Sequence, residues 1–294
     1  LNGRRQAAYK IYDSSDNLVS SGVSSQNSTK DHLNVRSVDL GNGNFGIYYD
    51  VVNNAPGQPN IKRNMRLYSN AGVAQGNEFS LITQTGNTGR SDIISLGSGK
   101  IGFVYIEQST KNLRAYTYNT STNSVLSNLL IDTYSSLDSV SNPGDFSTLE
   151  VIKIGTGFGV THKKGNDFFF TQFDSSGSIT KGPNSIYQGT DKILQVADIG
   201  SNRLFVAHTG SENIADTTSG KIINLDDFTD ATSTKTISSK RLNNDGRLIY
   251  DNGKLLFSSC KKPSPSERSA KISLKCLSTC WKASINASCL IVET

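Results

Sequence analysis

The sequence is short of several features that mark whole classes of protein. It has one methionine and one tryptophan, and it has no run of about 18 apolar residues, the length that a membrane helix needs. Charged residues make up only 19% of the chain, and helix-forming residues are not clustered at helical spacing. Together with abundant Ser, Thr, Asn and Gly, this balance favours an all-β protein with many turns.

Cysteine is missing from most of the chain and appears only at its end. The cysteines are Cys260, Cys276, Cys280 and Cys289. Four cysteines allow three pairings, and the sequence does not choose among them. Zinc binding is the alternative, but the spacing fits no compact set of zinc ligands. We therefore predict disulfides.

Three N-x-S/T sequons occur, and they predict N-glycosylation at Asn27, Asn119 and Asn286. Together with the even number of cysteines, they indicate an extracellular or cell-surface location. The chain begins with Leu1 and no signal peptide is recognisable. We expect a mature product, a processed chain or a fragment.

Net charge is distributed unevenly along the chain. The whole chain carries +5, but residues 261–294 hold six basic and two acidic side chains, which leaves +1 on the first 260 residues. A nucleic-acid-binding protein normally has a basic face on its folded part. We therefore predict no nucleic-acid partner and expect protein partners, self-assembly or glycans.

One short pattern recurs along the chain: an apolar strand end, a tight turn and a second apolar strand. Glycine and asparagine suit the turn because they adopt positive φ at low cost. Two copies are Leu40-Gly41-Asn42-Gly43-Asn44-Phe45 and Leu96-Gly97-Ser98-Gly99-Lys100-Ile101. The first-strand anchors are separated by 56, 58, 45 and 51 residues: Leu40, Leu96, Ile154, Ile199 and Tyr250.

A second series of turns follows with nearly the same period. Its aromatic anchors are separated by 56, 50, 55 and 55 residues: Tyr12, Tyr68, Tyr118, Phe173 and Phe228. Each repeat therefore holds two hairpins, and the alternation of large residues with period two is typical of strands. A unit of four strands and about 50 residues has the size of a propeller blade.

The order of the hairpins predicts how the repeats close. The chain opens with a second hairpin, residues 8–22, and its repeats end with a first hairpin, residues 247–260. We predict an all-β fold, a β-propeller of four-stranded antiparallel blades, with five blades of which one is completed by both chain ends. Such closure removes an open sheet edge. A piece of a longer array is the alternative, and the predicted domains are the propeller, 1–260, and a cysteine-containing tail, 261–294.

Residues 40–79 and Phe173-Asp174-Ser175-Ser176-Gly177 carry a resemblance. The chain resembles large secreted and surface proteins of bacteria and ciliates, whose repeats read Leu-x-Asn-Gly-x-Phe-x-Val and then Phe-Asp-x-x-Gly. The resemblance covers about residues 5–260. It implies a β-propeller in an extracellular surface, adhesion or matrix protein, and it supplies no catalytic residues to carry over.

The histidines invite a metal or catalytic interpretation, which the repeat argues against. His162 and His208 occupy the last inward position of the second strand. The same repeat column holds Tyr49, Tyr105 and Ser259. A slot filled by aromatic or polar residues indicates a structural role. The third histidine, His32, is expected in a loop without a recognisable partner.

Paired carboxylates would indicate a glycosidase, because two acids flank the bond that such an enzyme cleaves. Only two acids, Asp39 and Asp198, occur among the residues just before the first-strand anchors. The other three residues at this position are Ser95, Lys153 and Ile249. Asp92, Asp145 and Glu150 lie further before the anchors, at distances from the anchors that we take to differ. On this basis we expect no matched set of acids.

Other motifs indicate turns rather than chemistry. Gly97-Ser98-Gly99 is a hairpin turn, not a nucleophile elbow, and residues 155–159 lack the Lys-Ser/Thr and helix of a phosphate loop. Clustered aspartates, in residues 226–230 and 13–16, do not form a calcium-binding loop. We predict no catalytic, cofactor-binding or metal-binding residues.

These observations predict a non-enzymatic extracellular propeller that acts as a structural, adhesion or assembly module of a surface, matrix or filament. A lectin-like propeller is one alternative, with Tyr48, Tyr49 and Tyr105 as candidates for stacking on sugar rings. A lectin should repeat its polar contacts from blade to blade. A five-bladed glycoside hydrolase is the other alternative, and it would need two facing carboxylates.

Overall fold

The computed structural model describes most of the chain, and the account below concerns those residues. They are 6–26, 30–41, 43–52, 60–85, 91–107, 109–134, 149–189, 191, 193–209, 217–238, 248–251, 254–257 and 289–293. Strands and turns make up these ranges, and no helix occurs in them. Accordingly, no helical segment within them has the length and hydropathy that crossing a membrane requires.

Four-stranded antiparallel sheets, each with its strands in sequence order, form the bulk of the described chain. The first contains β3 (Asp31–Gly41), β4 (Asn44–Val52), β5 (Asn60–Ser69) and β6 (Phe79–Thr85). The second contains β7 (Ser91–Gly97), β8 (Lys100–Glu107), β9 (Asn112–Asn119) and β10 (Ser124–Thr133). The third contains β11 (Leu149–Ile154), β12 (Gly157–Lys164), β13 (Asp167–Phe173) and β14 (Ile179–Gln188). The fourth contains β15 (Ile193–Asp198), β16 (Arg203–Thr209), β17 (Thr218–Asn224) and β18 (Lys235–Ser238).

This arrangement confirms the predicted all-β class and its four-stranded antiparallel units. It also confirms the role of the recurring turn. Between β7 and β8, Gly97, Ser98 and Gly99 have φ values of 81°, 53° and 72°. These values lie in the left-handed region, which glycine adopts without strain.

The remaining strands pair differently from the sequence-based prediction. β1 (Ala8–Tyr12) lies between β2 (Leu18–Val23) and β21 (Cys289–Glu293), while β19 (Leu248–Asp251) and β20 (Lys254–Phe257) form a sheet of two strands. The prediction pairs the hairpin over 8–22 with the hairpin over 247–260. Instead, β1 pairs along its full length with β21. A third strand stabilises this sheet, because an isolated hairpin is only marginally stable in water.

The chain divides into two compact units. The first consists of residues 1–188 and 287–294, and the second of residues 189–286. The sequence-based boundary at residue 260 stays a prediction, since residues 258–288 lie outside the described ranges. In the first unit, β3 contacts β7 and β7 contacts β11. The first strands of successive sheets therefore lie side by side, although each of them forms a backbone ladder with the second strand of its own sheet and not with its neighbouring first strand.

Apolar side chains hold neighbouring sheets of the first unit face to face. Phe103 of β8 packs with Tyr48 and Met65 of the first sheet. The next residue, Val104, packs with Val151 and other apolar residues of the third sheet. Successive residues of β8 thus serve opposite faces, as the period of a strand requires. In the second unit, Ile193, Ala197, Phe205, Ala207 and Leu248 form a core of their own.

A tight contact between the second and third sheets gives a test of this packing. Gly177 has a φ of 89°, and a Cβ there would lie 1.9 Å from Ser127 Oγ. Gly165 also has positive φ, 63°, but a Cβ there would meet nothing within 4 Å. We expect Gly177→Ala to lower the free energy of unfolding by about 1–3 kcal/mol more than Gly165→Ala. Chemical denaturation of both variants measures the difference, and equal losses would contradict the packing described here.

Candidate active site

Polar side chains occupy one shared position on the first strands of the sheets. Counting four residues back from each Leu or Ile anchor gives Arg36 in β3, Asp92 in β7, Glu150 in β11 and Gln195 in β15. The hydrogen-bond register agrees, because Asp92 pairs with the residue before Tyr105 and Glu150 pairs with the residue before His162. The assumption that the offsets of these two acids differ is therefore wrong. Counting from the anchors would have found the pair in the sequence.

Asp92 is held firmly at the edge of β11. Its carboxyl group is nearly buried, with 5% of the residue exposed. Oδ2 accepts the N–H of Val151 at 2.9 Å, and Oδ1 accepts the N–H of Ile93 at 2.9 Å. Because Val151 follows Glu150 directly, the Asp92 carboxylate lies beside the backbone that carries the second acid. Both oxygens therefore act as hydrogen-bond acceptors.

Glu150 is the second buried acid of this region, with 8% of the residue exposed. It lies opposite Thr161 of β12, whose hydroxyl donates to the Glu150 carbonyl oxygen at 3.5 Å. Two carboxyl groups on adjoining strands can divide the roles of proton donor and proton acceptor. The sequence-predicted acid Asp145 lies outside the described residues.

A buried hydrogen-bond network fixes the start of β7, next to Asp92. The Tyr48 hydroxyl donates to Asp50 Oδ1 at 2.6 Å and lies 2.6 Å from Ser91 Oγ. Arg63 Nε lies 3.6 Å from Asp50 Oδ1, and both side chains are fully buried. Burial, followed by the charge of Asp50, raises the pKa of Tyr48 well above its usual value. Tyr48 therefore keeps its proton and ties β4 to Ser91.

Arg36 adds a cation to the same register. It lies opposite Tyr48 in the β3–β4 ladder, and cross-strand partners project from the same face of a sheet. Because the Tyr48 hydroxyl reaches Ser91, this face is turned towards β7. Arg36 is exposed to solvent, and its Nη1 donates to the carbonyl oxygen of Val35 at 3.2 Å.

The strand histidines are buried and paired with aspartates. His162 Nε2 donates to Asp132 Oδ2 at 3.2 Å, and Lys164 Nζ donates to Asp132 Oδ1 at 2.6 Å. The His162 ring stacks on Phe169 with ring centroids 5.5 Å apart. His208 contacts Asp191 through the other ring nitrogen, Nδ1. Neither histidine shares the register position of the acids.

His32 was expected in a loop, but it lies in β3. The residue is buried, and its Nε2 is 2.8 Å from Ser25 Oγ. Its ring meets Tyr49 edge-on, with centroids 5.2 Å apart. The prediction failed because β3 begins at Asp31, and two polar residues, Asp31 and His32, precede the alternation of apolar and polar residues that indicates a strand.

The tyrosines suggested for sugar stacking are not available to a ligand. Tyr48 and Tyr49 are 0% exposed and Tyr105 is 4% exposed. Tyr48 packs against Phe103, Tyr49 donates its hydroxyl to Glu78, and Tyr105 lies over Tyr116. The suggested lectin contacts are therefore wrong, because the aromatic faces belong to the cores between sheets.

Most of the predicted modification sites lie outside the described residues, namely Asn27, Asn286, Cys260, Cys276 and Cys280. Asn119 ends β9, and its Oδ1 accepts the N–H of Ser121 at 2.9 Å. Cys289 begins β21 opposite Tyr12. Glycosylation and disulfide formation stay predictions. Among the residues that the structure describes, no group of three His, Cys, Asp or Glu side chains is arranged to hold a metal ion.

Asp132 makes folding depend on pH. Burial alone would raise its pKa, but the hydrogen bonds from His162, Lys164 and the Thr133 N–H outweigh burial and lower it from 3.8 to about 2. A lowered pKa in the folded state stabilises the fold above the unfolded pKa, and this stability is lost as the pH falls from about 4 to about 2.

We expect Asp132→Asn to lower the free energy of unfolding by about 1–3 kcal/mol at neutral pH, and by much less near pH 2. Denaturant unfolding across this pH range measures the effect. Asp230→Asn is the matched control, because Asp230 also accepts from a lysine at 2.6 Å but its side chain is 53% exposed. A loss for Asp132→Asn that does not change with pH would contradict the account of this pair.

Comparison with known proteins gives no sequence relative. No family model matches the chain, and no curated protein sequence matches it. Among solved structures, similar ones include the catalytic domain of a GH62 α-L-arabinofuranosidase from Coprinopsis cinerea, with 11% identity, a TM-score of 0.45 and 85% of each chain covered. An α-L-arabinofuranosidase from Clostridium thermocellum has 9% identity and a TM-score of 0.37, with 76% of this chain and 80% of that chain covered.

Dipeptidyl peptidase 4 from Porphyromonas gingivalis is also similar, with 12% identity, a TM-score of 0.44 and coverage of 81% of this chain and 34% of that chain. Other similar structures are also described as glycoside hydrolases, which disagrees with the sequence-based prediction of a non-enzymatic module. None of these TM-scores reaches 0.5, so the similarity assigns no activity to this chain. The question of activity therefore depends on the carboxyl groups of its own first strands.

Proposed function

We propose that the protein is a glycoside hydrolase whose acids are Asp92 and Glu150. The observation that carries the proposal is their placement. Both are buried, they share one register on first strands that lie side by side, and Asp92 Oδ2 binds the N–H next to Glu150 at 2.9 Å. Hydrolysis of a glycosidic bond needs two carboxyl groups placed together, one to give a proton and one to act as base or nucleophile.

The hydrogen bonds support a division of roles. Asp92 accepts from two backbone N–H groups, so it acts as the carboxylate that serves as base or nucleophile. Glu150 then gives its proton to the glycosidic oxygen as the bond between that oxygen and the anomeric carbon breaks. Water supplies the hydroxyl group that ends on the anomeric carbon, and its proton returns to the carboxyl pair.

A lectin is supported less well, because its contacts should repeat from blade to blade. The shared register position instead changes from arginine to aspartate, glutamate and glutamine: Arg36, Asp92, Glu150 and Gln195. Within the first unit, this change from arginine to aspartate and glutamate supports one site built from the first, second and third sheets.

We also propose that the sheets are blades of a β-propeller, with five blades as the sequence repeats predict, and that the protein is extracellular. The regular spacing of the repeats supports the propeller, as does the contact of β3 with β7 and of β7 with β11. In a propeller the first strands surround the central axis, which is where an acid from each of two blades can face one ligand.

A panel of natural polysaccharides and aryl glycosides, assayed by release of reducing sugar, tests the proposal. We expect the wild-type chain to cleave at least one member. Asp92→Asn and Glu150→Gln should each lower kcat by about 100-fold or more, because each removes one of the two proton-transfer groups.

Asp39→Asn is the matched control for this assay. Asp39 is an exposed acid of β3 whose Oδ1 accepts the N–H of Gly41, and its loss should leave kcat within about twofold of wild type. Thermal unfolding of all three variants separates lost chemistry from lost folding. An inactive wild-type chain, or acid variants as active as wild type, would refute the proposal.

A further inference from the structure

Arg36 is a cation with no role in the proton transfers assigned to Asp92 and Glu150. Its side chain is exposed, and Nη1 donates one hydrogen bond to the Val35 carbonyl oxygen. A guanidinium group has five N–H donors in a planar fork, so most of its donors face solvent. Within the described part of the chain, the structure records no ion pair for Arg36. A permanent positive charge therefore stands beside a site built on carboxyl groups.

The nearest acids on the same and the neighbouring strand are already engaged. Asp39 is three residues along β3, on the opposite face of the strand, and its carboxylate accepts the N–H of Gly41 at 2.9 Å. Asp92, on β7, accepts two backbone N–H groups. Arg36 thus faces β7 at the strand position that Asp92 and Glu150 share. No carboxylate of these strands is bound to its guanidinium group.

Electrostatics argues that a substrate neutralises this charge. The transition state of glycoside hydrolysis develops positive charge on the sugar ring. A neighbouring cation raises the energy of that state through Coulomb repulsion, unless an anion lies between the two charges. With a neutral glycan, the Asp92 carboxylate alone offsets the charge of Arg36 and that of the sugar ring, whereas an acidic glycan adds an anion on the substrate itself.

We infer that Arg36 binds an anionic substituent, a carboxylate or a sulfate group, on the glycan that the site accepts. The inference rests on the proposed glycosidase function for the identity of the ligand. Arginine suits this role because its fork matches two oxygens of a carboxylate or sulfate group at once, which lysine does not reproduce. The preferred substrates are therefore acidic polysaccharides.

Calorimetric titration of the Glu150→Gln chain, which binds without cleaving, tests the inference. The ligands are oligosaccharides of polygalacturonate and of chondroitin sulfate, each beside its neutral counterpart made by carboxyl reduction or by desulfation with carboxyl reduction. Chondroitin that is desulfated but not reduced keeps only its carboxylates, so its comparison with chondroitin sulfate separates carboxylate from sulfate recognition. Adding Arg36→Gln should weaken binding of the preferred acidic ligand about tenfold or more, which corresponds to about 1.4 kcal/mol.

Arg36→Lys should restore only part of the affinity, and Arg203→Gln, which removes an exposed arginine at the start of β16, should change nothing. Binding of the neutral counterparts should be weak and insensitive to residue 36. Equal affinity for acidic and neutral ligands, no binding of either acidic ligand, or an acidic affinity unaffected by Arg36→Gln would overturn the inference.

The outcome is separable from that of the proposed function. Cleavage of neutral glycans that Arg36→Gln leaves unchanged would keep the glycosidase and refute acidic recognition. Acidic ligands that bind through Arg36 but are never cleaved by the wild-type chain would refute the glycosidase and keep the acidic binding site.

Discussion

The first unit depends on one constraint: the outer backbone edge of each first strand needs hydrogen-bond partners. The hydrogen bond from the Val151 N–H to Asp92 shows how this need is met. A first strand has a partner strand on only one side, so the backbone groups of its other edge must be satisfied by something else. Across this edge, the Asp92 side chain supplies the acceptor at 2.9 Å. The bond joins the second sheet to the third at the level of the two acids, with apolar packing on both sides of β8.

This constraint links stability and chemistry in the same residues. A polar side chain at the edge of one first strand holds the next, and the same position on successive strands collects Arg36, Asp92 and Glu150. Behind them, Tyr48, Asp50 and Arg63 form a buried network that fixes Ser91 at the start of β7. The acids thus stand on rigid strands rather than on loops, which suits groups that must meet a substrate in one geometry.

The sequence was sufficient for the repeating architecture but not for the contacts between repeats. Alternation and turn residues are local signals, so the sheets and the positive φ of Gly97 and Gly99 followed from them. The pairing of β1 with β21 did not, because any strand offers the same backbone donors and acceptors, and periodicity does not identify the partner. The acid pair follows from the sequence when residues are compared at the position four before each anchor, but not when they are compared at the position just before it.

The repeat, taken from the sequence alone, favours a module without catalytic residues. Similar turns and a column that includes Tyr49 and Tyr105 indicate structural roles, and the burial of both tyrosines agrees with this. Function is expected where a repeated position departs from symmetry. Here that position holds an arginine, an aspartate, a glutamate and a glutamine in the four sheets.

The central claim is that Asp92 and Glu150 form one sugar-binding site. A crystal structure of the Glu150→Gln chain with a bound oligosaccharide tests it most directly. The account predicts a glycosidic oxygen within hydrogen-bond distance of residue 150, with the Asp92 carboxylate beside the anomeric carbon of the same sugar. A sugar bound elsewhere, with residue 150 and Asp92 both out of reach of one glycosidic bond, would contradict it.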